Sequence, residues 1–191
     1  CGFSASTSAS FTIRDTSNPT FTSTAQNQVA QCDGTGNGSD FNTWLNNNAG
    51  ATATDACSSV VFSNDNNGQP ISCGDATTVT FSVVDTCGNG PILTTATFTI
   101  VDNDPPFFVT DPQNSSVECD SSASSSFDSW LSSAAFATIS DDCSTNGLTI
   151  TNDFQGSTLP PGCFATAVVT FFGNDECGNR SNGETATFTI S

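Results

Sequence analysis

The sequence contains no histidine, lysine or tyrosine, and Arg14 and Arg180 are its only cationic side chains. Without histidine or lysine, a serine nucleophile would lack the usual general base, so the composition argues against an enzyme. The 19 acidic residues give a net charge of −17, and a surface of that sign repels nucleic acids and anionic lipid headgroups. No apolar run approaches the ~20 residues of a membrane span. We therefore expect neither nucleic-acid binding nor membrane insertion.

Cysteine, by contrast, is abundant, with nine residues in a chain of 191. No two of them have the C-x-x-C spacing, and structural zinc sites usually draw their ligands from such close pairs together with histidine. Cysteines without those features indicate disulfides formed outside the cytoplasm. The composition therefore predicts an extracellular or cell-surface location.

Eight of the cysteines fall into two quartets with matching local sequences. Three pairs of segments recur in the same order: Thr54–Cys57 with Ser140–Cys143, Val84–Asn89 with Asn174–Asn179, and Thr95–Ile100 with Thr185–Ile190. The period is too long for a solenoid unit, so each repeat should be a self-contained domain. Ser10–Ile13 is similar to the closing T-F-T-I, and Cys1 then stands where a fourth cysteine would. We expect residues 1–15 to be the closing strand of a preceding repeat, 16–104 the first repeat and 105–191 the second.

Apolar and hydroxyl residues alternate along each closing segment, with Ala96, Phe98 and Ile100 on one face and threonines on the other, which is typical of a strand. Short runs of this kind between Asn, Gly, Asp and Ser clusters predict a sandwich of sheets. Ser39–Asn48 and Ser126–Leu131 each predict a short helix whose aromatic residues form either a plug in the core or a ligand platform; recurrence in both copies favours the plug. We predict an all-β protein of tandem immunoglobulin-like antiparallel β-sandwich domains, each with one short helix and two disulfides.

Four cysteines per repeat allow three pairings, and spacing alone does not choose among them. In an immunoglobulin-like sandwich the second and sixth strands run in the same direction, so Cys57 and Cys87, which follow them, should meet at one pole. Cys32 and Cys73 should then meet at the opposite pole. The predicted pairs are Cys57–Cys87, Cys32–Cys73, Cys143–Cys177 and Cys119–Cys163.

Aspartates crowd the pole that abuts each linker. They are Asp15, Asp55 and Asp85 at the first junction, and Asp102, Asp104, Asp141, Asp142 and Asp175 at the second. With no lysine nearby, these carboxylates repel one another unless a cation lies among them, and oxygen ligands at flexible spacing favour Ca²⁺. The linker Asp102–Phe107 also resembles the calcium-binding linker of cadherins, although it lacks their Asn-Ala step. The alternative is that the aspartates only cap turns.

With the repeat, the D-x-C-G-N turn and the T-A-T-F-T-I segment, the chain resembles the tandem HYR-like, immunoglobulin-type repeats of giant cell-surface adhesins in Bacteroidota, including gliding and predatory filament proteins. The resemblance covers essentially the whole chain, and its most specific parts are Ala51–Cys57, Phe41–Leu45 and Val84–Asn89. It implies a secreted or surface-attached stalk protein, exported by the type IX route and used in attachment, gliding or prey capture.

Two functions follow from these observations. The first is a structural segment of an extracellular fibre, whose partners are the neighbouring repeats and identical chains in a bundle. The second is a module that binds glycans or other cells through variable loops, Asp65–Gln69 or Phe154–Pro161. A carboxylate pair could also hydrolyse glycosides, but acidic residues that recur at each junction are typical of structural sites, and we predict no enzyme.

Overall fold

A computed structural model describes residues 1–143, 147–154 and 163–191. The chain forms two compact units that interleave along the sequence. The first contains Cys1–Gln28, Phe41–Gly68 and Thr77–Thr97, and the second contains Val29–Asp40, Gln69–Ala76 and Phe98–Ser191. The second unit therefore includes three segments of the first repeat, Val29–Asp40, Gln69–Ala76 and residues 98–104. The boundaries 16–104 and 105–191 stay predictions about the sequence repeat, and they do not coincide with the compact units.

The first repeat supplies two sheets and one helix. Its elements are β1 (Thr20–Ser23), β2 (Gln28–Gln31), α1 (Gly38–Asn46), β3 (Thr52–Thr54), β4 (Val60–Asn64), β5 (Ala76–Asp85) and β6 (Ile92–Val101). Strands β1 and β3 form a two-stranded antiparallel sheet, and the other four strands form a sheet in the order β2-β6-β5-β4.

The second repeat has the same arrangement. Its elements are β7 (Phe107–Thr110), β8 (Ser115–Val117), α2 (Ala123–Ser132), β9 (Thr138–Ser140), β10 (Thr149–Asn152), β11 (Thr166–Asn174) and β12 (Glu184–Ile190). Strand β7 pairs with β9, and the larger sheet has the order β10-β11-β12-β8. The predicted immunoglobulin-like sandwich is confirmed, except that β8 and β12 pair in parallel. Parallel pairing is possible here because nearly the whole repeat connects these two strands.

Alternation places one face of each long strand in the core. In the second repeat, Val169 and Phe171 of β11 and Ala186 and Phe188 of β12 are buried and belong to one apolar cluster. The hydroxyl residues between them lie on the other face, as the period of two requires. Strands β6 and β12 contain the predicted segments Thr95–Ile100 and Thr185–Ile190.

The helix of each repeat completes the core. Phe41 and Trp44 of α1 are buried, and the Trp44 ring lies edge-on to Phe81, with 5.7 Å between centroids. Its indole Nε1 donates to the carbonyl of Gln26 at 3.0 Å. Trp130 of α2 repeats this bond to Gln113 at 2.8 Å. A buried tryptophan whose only donor is satisfied is a packing residue, so these rings form the predicted plug.

Gly173 interrupts the apolar alternation in β11, where the first repeat has Val83. A Cβ at Gly173 would lie 3.2 Å from Cγ2 of Ile139 and 3.4 Å from Cγ of Pro106. The residue paired with Phe108 is Ile139 in the second repeat, whereas Ala53 pairs with Phe21 in the first. The larger side chain on β9 thus fills the space that the missing side chain on β11 leaves, as close packing demands.

The segment before β1 forms no strand in the described structure. Residues 1–18 have no regular secondary structure, and the side chains of Phe11 and Ile13 are 91% and 81% exposed. A strand forms only with a neighbour that satisfies its backbone hydrogen bonds, and here Ser10–Ile13 has none. Its assignment to a preceding repeat stays a prediction.

Candidate junction site

Three aspartates from the second unit come together, and we call them the second cluster: Asp102, Asp141 and Asp175. A carboxylate oxygen of Asp102 lies within 4.8 Å of one from Asp141, and the same holds for Asp102 and Asp175. Their exposed fractions are only 8%, 9% and 9%. The structure therefore brings together three of the five aspartates that the sequence assigned to the second junction.

Local turns fix two of these carboxylates. Asp141 follows β9, and its Oδ1 accepts the backbone N–H of Cys143 at 2.8 Å. Asp175 follows β11 and binds Asn179 twice, through the backbone N–H at 2.7 Å and through side-chain Nδ2 at 2.8 Å. The same Nδ2 also donates to the carbonyl of Asp102 at 3.1 Å, so one asparagine ties the turn to the linker.

Asp102 has the least favourable electrostatic environment of the three carboxylates in the described structure. Its Oδ1 accepts the N–H of Asp104 at 3.1 Å and Nε2 of Gln31 at 3.3 Å, while its Oδ2 is buried with no hydrogen-bond partner among the described residues. Burial raises the pKa of Asp102, and the negative charges of Asp141 and Asp175 raise it further, against the lowering effect of the Asp104 N–H. An unpartnered buried carboxylate oxygen is costly, and a cation bound here would relieve that cost.

Two disulfides join segments of the first repeat to this site. Cys32 pairs with Cys143 and Cys73 with Cys177, at Cα–Cα distances of 5.7 and 6.2 Å. The predicted pairs Cys32–Cys73, Cys57–Cys87 and Cys143–Cys177 are therefore wrong, whereas Cys119–Cys163 is confirmed. The sequence argument assigned cysteines to poles but assumed that both partners belong to one repeat. Proximity decides pairing, and the segments Val29–Asp40 and Gln69–Ala76 lie in the second unit.

The end of β2, next to Cys32, also contacts the linker through hydrogen bonds. Gln31 donates to Asp104 Oδ2 at 3.2 Å as well as to Asp102, and Asn103 Nδ2 donates to Gln31 Oε1 at 2.9 Å. Asp104 therefore has Gln31 as its partner and does not belong to the cluster within 4.8 Å. Asp142 is exposed and does not belong to it either.

Asp15, Asp55 and Asp85 form the first cluster, within the first unit, with one oxygen from each within 4.8 Å of the others. The construction is the same: Asp85 binds Asn89 through the backbone N–H at 2.8 Å and through Nδ2 at 2.7 Å, and Asn89 reaches the carbonyl of Asp15 at 3.3 Å. Ser58 Oγ lies 3.2 Å from Asp15 Oδ2 and 3.3 Å from Asp55 Oδ1. All three predicted residues of the first junction are thus brought together.

The first cluster differs from the second in its protonation energetics. The backbone N–H of Cys57 lowers the pKa of Asp55. Burial opposes the ionisation of Asp85, but the hydrogen bonds from Asn89 outweigh it and lower the pKa of that carboxyl. No side-chain oxygen of Asp15, Asp55 or Asp85 is among the buried unpartnered atoms found in the described residues.

Both clusters offer carboxylate oxygens, which are the ligands of hard cations such as Ca²⁺. The sulfurs of Cys143 and Cys177 are close to the second cluster, but each is engaged in a disulfide and cannot act as a thiolate ligand. A cavity of about 380 Å³ lined by Cys73, Gly74, Val101, Asp102, Asn103, Glu176 and Cys177 reaches the second cluster from outside. The donor chemistry, the orphaned oxygen of Asp102 and this access fit a small divalent cation.

Other aspartates in the loops accept backbone N–H groups. Asp65 Oδ1 accepts the N–H of Thr80 at 2.7 Å, and Asp153 Oδ1 accepts that of Thr170 at 2.9 Å. Asp33 and Asp120 bind backbone N–H groups two residues ahead, as Asx turns do. The loop Asp65–Gln69 thus begins with a structural bond. In the loop Phe154–Pro161, the Phe154 ring packs edge-on against Phe127 at 4.9 Å, and residues 155–161 lie outside the described residues.

Sequence reasoning missed the residues that hold the clusters in shape. Asn89 and Asn179 end the D-x-C-G-N motif, and the sequence suggested no role for them. Each nevertheless bridges a pole aspartate and a linker carbonyl. The spacing D-x-x-x-N in both copies was the available signal. No pattern pointed to Gln31, whose role depends on contacts with a linker about 70 residues later in the chain.

The sheets and core helices define the chain as tandem immunoglobulin-like β-sandwich repeats, an architecture shared by many cell-surface and structural proteins. No protein-family model and no curated protein matches the sequence. No helix in the described part of the chain is long and apolar enough to cross a membrane.

Several solved structures match most of this chain. The titin Z1Z2 domains in complex with telethonin match 93% of this chain and 98% of their own, at 13% identity and a TM-score of 0.40. Sidekick-1 immunoglobulin domains 1–4 match 91% of this chain, which spans about half (49%) of theirs, at 13% identity and a TM-score of 0.39. Drosophila N-cadherin EC1-3 matches 88% of this chain and 64% of its own, at 9% identity and a TM-score of 0.47.

Proposed function

We propose that the chain is a structural segment of an extracellular fibre or adhesin stalk, in which each junction between repeats is held by disulfides and by Ca²⁺ at an aspartate cluster. The observation that carries the proposal is the second cluster: three poorly exposed carboxylates, one with an orphaned buried oxygen, beside two disulfides that join consecutive repeats. Junctions of this kind suit a spacer, because disulfides and a bound ion would limit bending between neighbouring repeats.

Asp102, Asp141 and Asp175 would hold the Ca²⁺ ion, which supplies positive charge where the sequence has none. Bound to the folded chain, it offsets the mutual repulsion of the carboxylates and gives Asp102 Oδ2 a partner. The disulfides indicate an oxidising, extracellular setting, and the resemblance to surface-adhesin repeats supports a role in attachment, gliding or prey capture.

The test is thermal unfolding of the non-reduced chain with added Ca²⁺ and with chelator. A ligand that binds only the folded state stabilises it by about 2.7 kcal/mol at a hundredfold excess over Kd. We expect a calcium-dependent rise in Tm that disappears in Asp102→Ala and in Asp175→Ala. Asp111→Asn removes an exposed charge outside both clusters and should keep the full rise. A Tm that does not respond to Ca²⁺ in the unchanged chain would refute the calcium-stiffened junction.

A further inference from the structure

Cys57 and Cys87 are the positional equivalents of two cysteines that form disulfides in the second repeat. Both are exposed and unpaired. The N–H of Cys57 donates to Asp55 at 2.9 Å, as that of Cys143 does to Asp141 at 2.8 Å. Cys87 lies in the Asp85–Asn89 turn, and Cys177 lies in the Asp175–Asn179 turn, which has the same hydrogen bonds. The turn geometry that presents Cys143 and Cys177 is thus already present around the two free thiols.

The linker beside these thiols also repeats the geometry of the second junction, which two disulfides hold together. Asp15 Oδ1 accepts the N–H of Ser17 at 3.0 Å, and Asp102 Oδ1 accepts that of Asp104 at 3.1 Å. The segment before Asp15 ends in Phe11-Thr12-Ile13, and the segment before Asp102 contains Phe98-Thr99-Ile100. In the second unit, the loops that supply Cys32 and Cys73 bond directly to this closing strand, through Cys32 N–H to Val101 at 2.8 Å and Gly74 N–H to Ile100 at 2.9 Å.

We infer that Cys57 and Cys87 receive two disulfides from another repeat of the same type placed immediately before Asp15. Its cysteines equivalent to Cys32 and Cys73 would join Cys57 and Cys87 respectively, so that the first cluster becomes flanked as the second one is. In each bond, two thiols give up two protons and two electrons, which reduce a small-molecule disulfide such as oxidised glutathione to two thiols. The inference specifies the partner within the proposed stalk function, but it does not depend on calcium.

The second repeat has cysteines at the two positions that join the next repeat in the first, although here they are bonded to each other. Cys119 and Cys163 correspond to Cys32 and Cys73, and their Cα atoms are 5.3 Å apart in a disulfide. The N–H of Cys119 donates to Ser191 at 3.0 Å, as that of Cys32 does to Val101 at 2.8 Å. Each repeat of this type therefore carries one pair of cysteines at each end, and the pairs of adjoining ends are matched in number and position.

The test uses a chain in which a copy of residues 16–101 replaces Cys1–Arg14 ahead of Asp15. The copy keeps its equivalents of Cys32 and Cys73, and its equivalents of Cys57 and Cys87 are serine. After oxidation with oxidised glutathione in chelator, non-reducing peptide mapping should find two new bonds, from Cys32 of the added copy to Cys57 and from Cys73 of the added copy to Cys87. The original bonds Cys32–Cys143 and Cys73–Cys177 should remain. Alkylation of Cys57 and Cys87 should fall at least tenfold relative to a matched chain whose added copy has serine at all four positions.

Undiminished alkylation of Cys57 and Cys87 in the extended chain, or exchanged partners such as Cys32–Cys87, would overturn the inference. A second measurement needs only the 191-residue chain carrying Cys1→Ser. Here both thiols should react with an alkylating reagent under native conditions, and a Cys57–Cys87 disulfide in that chain would also refute the inference. Because both measurements are made without Ca²⁺, they succeed or fail independently of the calcium test.

Discussion

The two aspartate clusters are built from the same turns, yet their environments differ. In the second cluster, loops of the neighbouring repeat are attached by disulfides, Gln31 bonds to the linker, and one oxygen of Asp102 is buried without a partner. In the first, Cys57 and Cys87 are free, and Ser58 lies within hydrogen-bond distance of Asp15 and Asp55. The turns therefore set the positions of the carboxylates, whereas the covering loops set their electrostatics.

Removing one of the two disulfides at the second cluster should have the largest effect on the free energy of unfolding. Cys73→Ser with Cys177→Ser opens a link between residues 104 positions apart, and a loop of that size is worth about 3 to 5 kcal/mol in the free energy of unfolding. Urea unfolding should show that loss. The matched change at the first cluster, Cys57→Ser with Cys87→Ser, should alter the free energy of unfolding by less than about 0.5 kcal/mol. Equal losses in the two variants would contradict the free state of Cys57 and Cys87.

The next largest effect on stability should come from the different packing at Gly173 in the second repeat and at Val83 in the first. Gly173→Val should destabilise the chain by about 1 to 3 kcal/mol, because its side chain would overlap Ile139. Adding Ile139→Ala should recover most of that loss in a double-mutant cycle measured by urea unfolding. In the first repeat, where Val83 is present, Ala53→Ile should reproduce the overpacking. If Gly173→Val and Ile139→Ala prove additive, the compensation between these positions is wrong.

Charge removal should have opposite signs in the two clusters. In chelator at neutral pH, Asp102→Asn removes a buried charge that faces Asp141 and Asp175, so it should raise Tm. Asp15→Asn turns the charge-assisted hydrogen bond between Asp15 and the Ser58 hydroxyl into a neutral one, and Tm should fall by the equivalent of about 0.5 to 1.5 kcal/mol. Thermal unfolding of both variants measures the difference. Shifts of the same sign would show that the covering loops do not change the electrostatics of the second cluster.

The smallest expected effect is on the stability of the chain in acid, and both repeats should show it. The N–H of Thr80 lowers the pKa of Asp65 from its ordinary value of 3.8, and hydrogen bonds from Thr170 lower the pKa of Asp153. The unfolded chain then binds more protons than the folded one, so this stability is present above pH 3.8 and is lost as pH falls through the folded pKa. Asp65→Asn and Asp153→Asn should each flatten the acid limb of stability measured against pH. An unchanged limb in both variants would contradict these assignments.

Much of the fold was accessible from the sequence because its patterns are local. Alternation in Thr95–Ile100 and Thr185–Ile190 predicted the long strands, and the spacing of Phe41 and Trp44 predicted a helix packed on the core. The parallel pairing of β8 with β12 was not accessible, since alternation specifies which face of a strand is buried and says nothing about strand direction. The fit of Gly173 to Ile139 was equally hidden, because it depends on two strands that meet only in the folded chain.

The candidate site divides in the same way. The sequence placed Asp102, Asp141 and Asp175 at one pole, since each directly follows the end of a strand. It included Asp104 and Asp142 without distinction, because neighbours in sequence share a pole but differ in side-chain direction. Only the contacts of Gln31 and the exposure of Asp142 separate these two residues from the cluster.

By itself, the sequence determined the repeat, the strands and helices within it, and which cysteines and aspartates belong to each pole. These features depend on periodicity and on turns a few residues long, which the chain encodes locally. The tertiary structure alone decided that Cys32 joins Cys143 and that Cys73 joins Cys177. A disulfide requires two sulfurs to meet in space at a defined geometry, and residues more than a hundred positions apart are brought together only when the loops of one repeat pack into the compact unit of the next.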